Sequence, residues 1–425
     1  MDAMTLEQKL EVLISLAGDD RDGAPGGEKA LPPRLRHANG SGALRALNIR
    51  DLRVPGRGKM SLLRILMTNA CSFNCHYCPM RRDRDMPRTL LKPEELARIF
   101  MEAHRGGWCS GLFITTGIPG RPVKVMDDLV QVLELLRFRH RFRGYVHVKM
   151  VPGAEQAQIE RLTALASRVS VNLEAPCGDT LARIAPEKSL DVALAGLHGA
   201  RTLVRREQTE RRDGKPADPL RPGGASGMTL QFVVGATPDT DRTLLSRVTG
   251  LYTAGGVHHA HFSAFRPIRD TPMEAVPETP VLREQRLYQA DHLLRRYGFG
   301  ADEVVFDGDG NLPLAHDPKT AWALAHPERF PVEVKTAPYE ELVRVPGIGP
   351  GAARRIVAER GTTVLRTLRD LRTLGVVTTR AAGFVTLGGR RLQTVKWTEQ
   401  LGLWGPGDDA GKPRVTYSVS PGTFR

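Results

Sequence analysis

The sequence predicts an α/β fold of six strand–helix units in series, followed by a helical module near the C-terminal end. Three observations support this prediction: short apolar runs alternate with segments of helical periodicity, a cysteine-rich loop follows the first run, and a Pro/Gly hairpin motif stands near residue 347. Neighbouring parallel strands need crossover connections, so the alternation indicates a parallel sheet. An open partial barrel and a flat, doubly wound sheet both satisfy this pattern.

Each unit consists of one short apolar strand and one longer helix. The strands are predicted at 62–68, 111–115, 145–150, 169–174, 228–234 and 259–265. The helices are predicted at 92–105, 125–138, 155–167, 190–204, 239–252 and 282–297. Pro93 suits the first turn of its helix, and Glu94 suits the positive end of the helix dipole. The polar, Gly/Pro-rich segment 205–227 predicts a mobile surface loop.

The composition is that of a globular protein with a sizeable core. The chain has 425 residues, of which 41% are hydrophobic. We predict these divisions: an N-terminal extension over 1–58, the strand–helix domain over 59–300, a connecting region over 301–336, the helical module over 337–404 and a tail over 405–425. The apolar stretch Leu10–Leu16 is interrupted by charge, and no run of about 20 apolar residues occurs. We therefore expect a cytoplasmic protein, in which thiols stay reduced.

The charge balance is strongly basic. The formal net charge is +14, and from Lys335 onward there are 15 basic and 7 acidic residues. Such an excess is typical of a protein that binds a polyanion, but an arginine-rich, well-solvated surface gives the same balance. Charge alone leaves both interpretations open.

The most specific motif is a C-x-x-x-C-x-x-C loop formed by Cys71, Cys75 and Cys78. Three thiolates in one loop can bind three irons of a [4Fe–4S] cluster and leave the fourth iron open. A zinc site that used His76 would lack the second pair of ligands that structural zinc usually has. A disulfide is disfavoured because the cysteine count of five is odd and the other two cysteines are isolated.

Residues 71–78 read Cys-Ser-Phe-Asn-Cys-His-Tyr-Cys, which resembles the cluster loop of the radical S-adenosylmethionine (radical SAM) superfamily. More narrowly, residues 59–388 resemble DNA modification or repair radical SAM proteins that carry a C-terminal helix–hairpin–helix and are often encoded beside a uracil-DNA-glycosylase-like partner. This resemblance implies an α/β fold with a partial (β/α)6 barrel. It also implies a [4Fe–4S] cluster and S-adenosylmethionine as cofactors, and a reducing electron donor such as flavodoxin or ferredoxin.

The resemblance further implies the chemistry. Cys71, Cys75 and Cys78 would hold the cluster, whose open iron chelates the amino and carboxylate groups of S-adenosylmethionine. One-electron reduction then yields methionine and a 5'-deoxyadenosyl radical that abstracts hydrogen from the substrate. Cys109 and Cys177 are candidate hydrogen donors, although isolated buried cysteines are usually small hydrophobic residues.

Candidate cofactor contacts lie at strand ends, where barrel sites gather. Thr115, Thr116 and Gly117 stand where radical SAM enzymes place a Gly-Gly-Glu-like turn, here without the acid; an ordinary strand-to-helix turn is the alternative. Asn172 and Glu174 are expected on one side of their strand, because side chains alternate along a strand.

Three further features have both a functional and an ordinary interpretation. Gly235 resembles the position where a strand backbone approaches adenine, but it is equally typical of a turn glycine. Tyr77 fits a loop that covers a bound nucleoside. His259 and His261 could ligate a metal, but half-buried strand histidines are the better interpretation, since no acidic residue follows at a useful spacing.

The second motif, over residues 342–357, resembles a helix–hairpin–helix. Gly347 and Gly349 allow a tight turn that leaves amide groups free at a helix N-terminus, where phosphate oxygens bind favourably. Arg354 and Arg355 lie in the first turns of the following helix. A single hairpin of this type can also bind proteins, and only the family resemblance favours DNA over RNA.

The sequence therefore predicts a radical SAM enzyme that modifies or repairs DNA. Two alternatives remain open at this point. One is a radical SAM enzyme that modifies tRNA or another RNA, and the other is a DNA-binding protein with a structural or redox-sensing cluster.

Overall fold

The computed structural model describes residues 4–17, 47–54, 58–216 and 218–392. The predicted tail, the end of the predicted helical module and most of the predicted N-terminal extension lie outside these residues. The chain divides into two compact units, one of residues 1–239 and 246–284 and the other of residues 240–245 and 285–425. We call them the N-terminal unit and the C-terminal unit. The predicted domain boundaries remain predictions.

The N-terminal unit is built on a seven-stranded sheet that curls into an open half-barrel. Its strands, neighbours in chain order, are β1 (Ile49–Val54), β2 (Gly58–Leu66), β3 (Gly111–Thr115), β4 (Tyr145–Lys149), β5 (Arg168–Glu174), β6 (Met228–Val234) and β7 (Val257–Ala264). Strands β2 to β7 are parallel, which confirms the six predicted strands. The antiparallel edge strand β1 was not predicted, because Arg50, Asp51 and Arg53 interrupt its apolar pattern.

Six of the helices in the described part of this region match the predicted ones; the helices over 6–17 and 178–184 were not predicted. The helices are α1 (Leu6–Ala17), α2 (Pro93–Arg105), α3 (Pro122–Glu134), α4 (Gln156–Leu165), α5 (Gly178–Ile184), α6 (Leu190–Arg212), α7 (Asp241–Ala254) and α8 (Val281–Arg296). Pro93 occupies the first turn of α2, as expected from its fixed φ. A π-helical turn, Leu135–Arg139, follows α3. None of the helices in the described part of the chain is long and apolar enough to span a membrane.

The predicted mobile loop over 205–227 is wrong in its first third. Helix α6 continues to Arg212, and the following segment is fastened to it by Arg221, which pairs with Glu207, Glu210 and Asp218. Polar composition misled the prediction, because charged residues at helical spacing can stabilise a solvent-facing helix through ion pairs.

Side chains of the parallel strands alternate between two faces of the sheet. Ile65 and Ile114 are register neighbours on the apolar face and are at most 2% exposed. The intervening positions are polar, with Arg64, His147 and Arg168 aligned through Phe113. We call this second surface the polar face; by register and contact it comprises Arg64, Phe113, His147, Lys149, Arg168, Ser170, Thr229, Gln231 and His261.

The C-terminal unit is a set of short helices around its own core. Its elements beyond α8 are α9 (Pro318–Ala325), β8 (Val332–Glu333), α10 (Tyr339–Leu342), α11 (Pro350–Glu359), α12 (Leu368–Thr373), α13 (Thr378–Ala381), β9 (Val385–Leu387) and β10 (Arg390–Arg391). Trp322 and Val332 pack in the same apolar cluster as Ile348 and Ile356. The predicted connecting region and the predicted helical module thus share one core.

Candidate functional site

The three cysteines lie in a long loop, residues 67–92, between β2 and α2. Both ends of this cluster loop are tied to the sheet: the Met67 amide donates to the Thr115 carbonyl at 2.9 Å, and the Leu91 amide donates to the Met67 carbonyl at 2.9 Å. The loop therefore begins at the C-terminal edge of the parallel strands, where the sequence placed it.

Arg88 holds the interior of the cluster loop together. Its guanidinium donates to four backbone carbonyls, those of Asn69, Met80, Arg81 and Arg84, at 2.6–2.8 Å. Backbone carbonyls outside helices and strands need a hydrogen-bond donor, and the planar guanidinium of arginine can donate to several carbonyls at once. Sequence reasoning missed Arg88, because nothing local distinguishes it from the other arginines nearby.

The thiols are close enough to affect one another and are largely shielded from water. Burial raises the pKa of Cys75 to about 11 and that of Cys78 to about 12, with Cys71 adding to both shifts. Within the described ranges, no group of three or more His, Cys, Asp or Glu side chains converges on a single metal ion. A [4Fe–4S] cluster binds each thiolate at a different iron and so needs no such common centre.

A buried ion pair stands beside the thiols. Lys188 Nζ lies 2.7 Å from Glu174 Oε1, and the Glu174 side chain is 2% exposed. Burial opposes the charge on Lys188, but Glu174, Cys75 and Cys78 outweigh it and raise the pKa of Lys188. Burial likewise opposes the carboxylate, yet Lys188 keeps the pKa of Glu174 below its ordinary value. Lys188 thus places a positive charge where three thiolates would gather. Sequence reasoning missed this residue, because no motif marks it.

Tyr77 belongs to the same group. It is hydrogen-bonded to Glu174, and burial together with Glu174 raises its pKa well above 10. The neutral phenol therefore donates to the carboxylate. Nearby, the amide of His76 donates to the Ile184 carbonyl at 2.7 Å, so the end of α5 packs against the cysteines. The structure gives Tyr77 a role in fixing Glu174, and its predicted contact with a nucleoside remains a prediction.

Asn172 and Glu174 do not follow simple alternation. The register of β5 against β6 shifts between them, and Glu174 has a φ of 63°, which is unusual for a residue other than glycine. The bulge, rather than the two-residue repeat, therefore orients Glu174. Asn172 Oδ1 is buried and has no hydrogen-bond partner in the described structure. Such an orphaned acceptor fits a ligand that carries an ammonium or hydroxyl group.

The turn after β3 packs directly against the cluster loop. The amide of Gly117 donates to the Thr68 carbonyl at 2.7 Å, and a Cβ atom at Gly117 would overlap the carbonyl oxygen of Ala70. Thr115 is 9% exposed at the strand end, and the Thr116 hydroxyl donates to the Gly117 carbonyl at 2.7 Å. Glycine is therefore required here for close backbone approach, whether or not this turn also contacts the cofactor.

The structure accounts for Gly235 without a ligand. Its φ is 80°, and a Cβ atom there would collide with the hydroxyl of Thr279, which donates to the Val234 carbonyl at 2.9 Å.

The rings of His259 and His261 contact each other edge to face, with 4.4 Å between their centroids; His259 is half-buried and His261 is buried. Cys177 Sγ lies 2.9 Å from Thr180 Oγ1, while Cys109 is buried.

The C-terminal unit brings two turns together. The first, residues 343–349, joins α10 to α11, and the second, residues 374–377, joins α12 to α13. Gly347 and Gly375 have φ values of 85° and 83°, and the Val377 amide donates to the Gly347 carbonyl at 2.9 Å. A Cβ atom at Gly347 would overlap the Val377 carbonyl. We call this pair the linked turns; the second turn was not predicted.

The residues predicted to contact phosphate have different structural roles in the C-terminal unit. Gly349 is the N-cap of α11, ahead of Pro350. Arg354 is exposed, whereas the Nε of Arg355 donates to the Leu374 carbonyl at 2.9 Å and so supports the second turn. Lys319, also missed, is buried and donates to the Ile348 carbonyl at 2.6 Å. Burial lowers its pKa to about 7, and Arg380 adds to this.

Comparison with known proteins agrees with the cysteine motif. Residues 65–207 match the family model described as the radical SAM superfamily, and no curated protein matches the chain. Similar solved structures include methylornithine synthase (PylB), 13% identical with a TM-score of 0.43, covering 55% of this chain and 61% of that one. Another is the FeFe-hydrogenase maturase HydG from Carboxydothermus hydrogenoformans, 14% identical with a TM-score of 0.41, covering 55% and 51%.

A third similar structure is the radical S-adenosylmethionine methyltransferase TsrM from Kitasatospora setae, 17% identical with a TM-score of 0.35, covering 53% of this chain and 39% of that one. The chain thus matches between two fifths and about three fifths of the length of these proteins. Likenesses this distant carry no argument about the substrate. The family match agrees with the cysteine motif: residues 65–207 match the radical SAM superfamily, whose members use a [4Fe–4S] cluster and S-adenosylmethionine.

Proposed function

We propose that this chain is a radical SAM enzyme that acts on nucleic acid, with DNA as the substrate to be modified or repaired. The observation that carries the proposal is the pair of linked turns in the C-terminal unit. Helix α11 begins at the first turn, and the leading amides of a helix have no intrahelical partner and attract phosphate oxygens. The structure of this turn is set by Gly347 and by its hydrogen bond from Val377.

Exposed arginines are frequent in the part of the C-terminal unit that contains the linked turns. Besides Arg354, they are Arg366, Arg369, Arg372, Arg390 and Arg391, all exposed. Exposed arginines are suited to phosphates whose positions vary along a backbone, since each contributes through charge and a bidentate fork. This arrangement favours a sequence-independent grip on a nucleic acid backbone over recognition of particular bases.

In the N-terminal unit, the residues present fit the cofactors. Cys71, Cys75 and Cys78 would hold the cluster, and Asn172 and Glu174 would contact S-adenosylmethionine. When bound, these cofactors supply a 5'-deoxyadenosyl radical. Lys188 balances the negative charge of the thiolates, and Tyr77 keeps the Glu174 carboxylate oriented. Radical SAM enzymes typically take their electron from flavodoxin or ferredoxin. A uracil-DNA-glycosylase-like partner is a further proposal from the resemblance.

Binding and turnover can be tested on the same preparation. Full-length protein, reconstituted with its cluster without oxygen, is titrated with labelled duplex DNA, single-stranded DNA and tRNA. We expect affinity for DNA to fall by about tenfold or more between about 50 and 200 mM salt, because several phosphate contacts release counterions. DNA should also increase 5'-deoxyadenosine formation in the presence of dithionite and S-adenosylmethionine.

Two results would contradict this function. Binding of tRNA that is tighter than binding of either DNA would assign the enzyme to RNA modification. Salt-independent binding, or no binding to any nucleic acid, would assign the linked turns to protein contacts.

A further inference from the structure

The polar face of the half-barrel concentrates positive charge in its middle. Strand register aligns Arg64 with Phe113, Phe113 with His147, and His147 with Arg168 across four neighbouring strands. The Arg64 guanidinium lies 4.8 Å from the centre of the Phe113 ring, and the His147 ring lies 4.6 Å from it, edge to face. These side chains therefore occupy one continuous surface.

Lys149 extends this surface toward the C-terminal edge of the strands. Its ammonium lies 5.8 Å from the Phe113 ring and donates to Gln231 Oε1 at 2.8 Å. The Gln231 amide in turn donates to Ser263 Oγ at 3.1 Å. The carbonyl of Gln231 is thereby aimed at Lys149, so Lys149 is held at the edge that also carries Asn172 and Glu174.

The pKa of His147 reflects the positive charge of the polar face. Burial lowers its pKa well below 6.5, and the neighbours that lower it further are Arg168, His261, Lys149 and Arg64. Three permanent cations thus surround a neutral, buried imidazole. Arg64 is buried and Lys149 and Arg168 are half-buried, so water only partly screens their like charges, and an anion beside them would be favoured. Glu174 also interacts with Lys149, but that carboxylate is already paired with Lys188.

Buried polar atoms lie among these cations. Ser170 Oγ, Thr229 Oγ1 and His147 Nε2 have no hydrogen-bond partner in the described structure, and their residues are 3%, 0% and 7% exposed. Ser170 is the register neighbour of both Lys149 and Thr229. Hydroxyl groups can donate to an anionic oxygen, and buried polar groups ordinarily find a partner. Cations and orphaned donors on one surface are what an oxyanion requires.

We propose that the polar face is an anion-binding site in which Arg64, Lys149 and Arg168, together with the hydroxyls of Ser170 and Thr229, hold a phosphate or carboxylate group of the substrate. This inference stands apart from the proposed action on DNA, because a small anionic substrate would use the same groups. If the substrate is a nucleotide, the bound group is its phosphate.

Calorimetry on the cluster-loaded, full-length protein tests the site. A deoxynucleoside 5'-monophosphate, the matched deoxynucleoside, inorganic phosphate and acetate are compared as ligands. We expect the monophosphate to bind about tenfold or more tightly than the nucleoside, because a charge-assisted hydrogen bond contributes about 1.5–3 kcal/mol. Competition by phosphate alone would identify a phosphate site, and competition by acetate alone would identify a carboxylate site; either result supports the proposal.

Variants localise the effect. Lys149→Met and Thr229→Val should each weaken monophosphate binding, whereas Lys124→Met, which alters an exposed lysine paired with Asp128, should leave it unchanged. Circular dichroism and cluster absorbance establish that each variant is folded and loaded, and Arg64→Lys should retain part of the affinity if charge is what matters. Equal affinity for the monophosphate and the nucleoside, or unchanged affinity in Lys149→Met, would overturn the inference. Neither result depends on whether duplex DNA binds the linked turns.

Discussion

The cluster loop and the linked turns use positive charge in opposite ways. Beside the cysteines, Lys188 is 14% exposed and is held by the buried Glu174, and Arg88 donates to backbone carbonyls. In the C-terminal unit, Arg354 is exposed, as are Arg366, Arg369, Arg372, Arg390 and Arg391. A buried, paired cation favours one ligand in one position, whereas exposed cations favour a polyanion that binds in many registers. The two regions should therefore respond differently to mutation and to salt.

The largest effect should come from Cys75→Ser. Removal of one of three thiolate ligands should abolish stable cluster binding, since hydroxyl oxygen is a poor ligand for iron–sulfur clusters. Iron content and absorbance of the reconstituted protein should fall by about tenfold or more, and 5'-deoxyadenosine formation should cease. DNA binding should persist. Cys109→Ser is the matched control, because Cys109 lies outside the loop; equal iron loss in both variants would contradict the assignment.

Gly347→Val should have the opposite effect to Cys75→Ser: it should weaken DNA binding and leave cofactor cleavage intact. The positive φ at Gly347 and the overlap with the Val377 carbonyl should cost about 1–3 kcal/mol locally, which corresponds to about tenfold to hundredfold weaker DNA binding. Cofactor cleavage without DNA should be unchanged. Gly361→Val serves as the control, because no atom stands within 4 Å of a Cβ there. Normal DNA affinity in Gly347→Val would remove the linked turns from the interface.

Arg88→Met should weaken the cluster loop without removing a ligand. Four carbonyls lose their donor, so we expect about twofold to tenfold lower iron retention during dialysis against a chelator, measured against the wild-type protein. Arg82→Met, an exposed change in the same loop, should retain iron normally. If Arg88→Met also keeps its iron, the loop is held by its anchors to the sheet alone.

The smallest effect should be that of Arg354→Gln. Loss of one phosphate contact should weaken binding severalfold on all sequences and reduce the salt slope by about 1. Arg355→Gln should behave differently, because its Nε supports the Leu374 carbonyl, and should chiefly lower the melting temperature. Fluorescence anisotropy at several salt concentrations and thermal melts distinguish the two. The same salt slope in Arg354→Gln and wild type would exclude this arginine from backbone contact.

The features that could be predicted from the sequence are those that depend on residues close together in the chain. The six parallel strands follow from apolar runs. The three cysteines lie within eight residues, 71–78, of the cluster loop. Lys188, Arg88 and Lys319 could not be predicted, because folding brings them to their partners across the chain or the loop. The end of α6 was missed because ion pairs, not apolar periodicity, stabilise it. The second of the linked turns was missed because Leu374 to Val377 lacks the proline that marked the first.

Arg88 holds four backbone carbonyls of the cluster loop in place. Because these four hydrogen bonds join only groups of the protein, we expect the loop to keep its path when oxygen destroys the inorganic centre. Damaged molecules could then be reloaded in place, without first being unfolded or degraded. Repeated repair of a standing protein would suit a catalyst whose most fragile part is not made of amino acids.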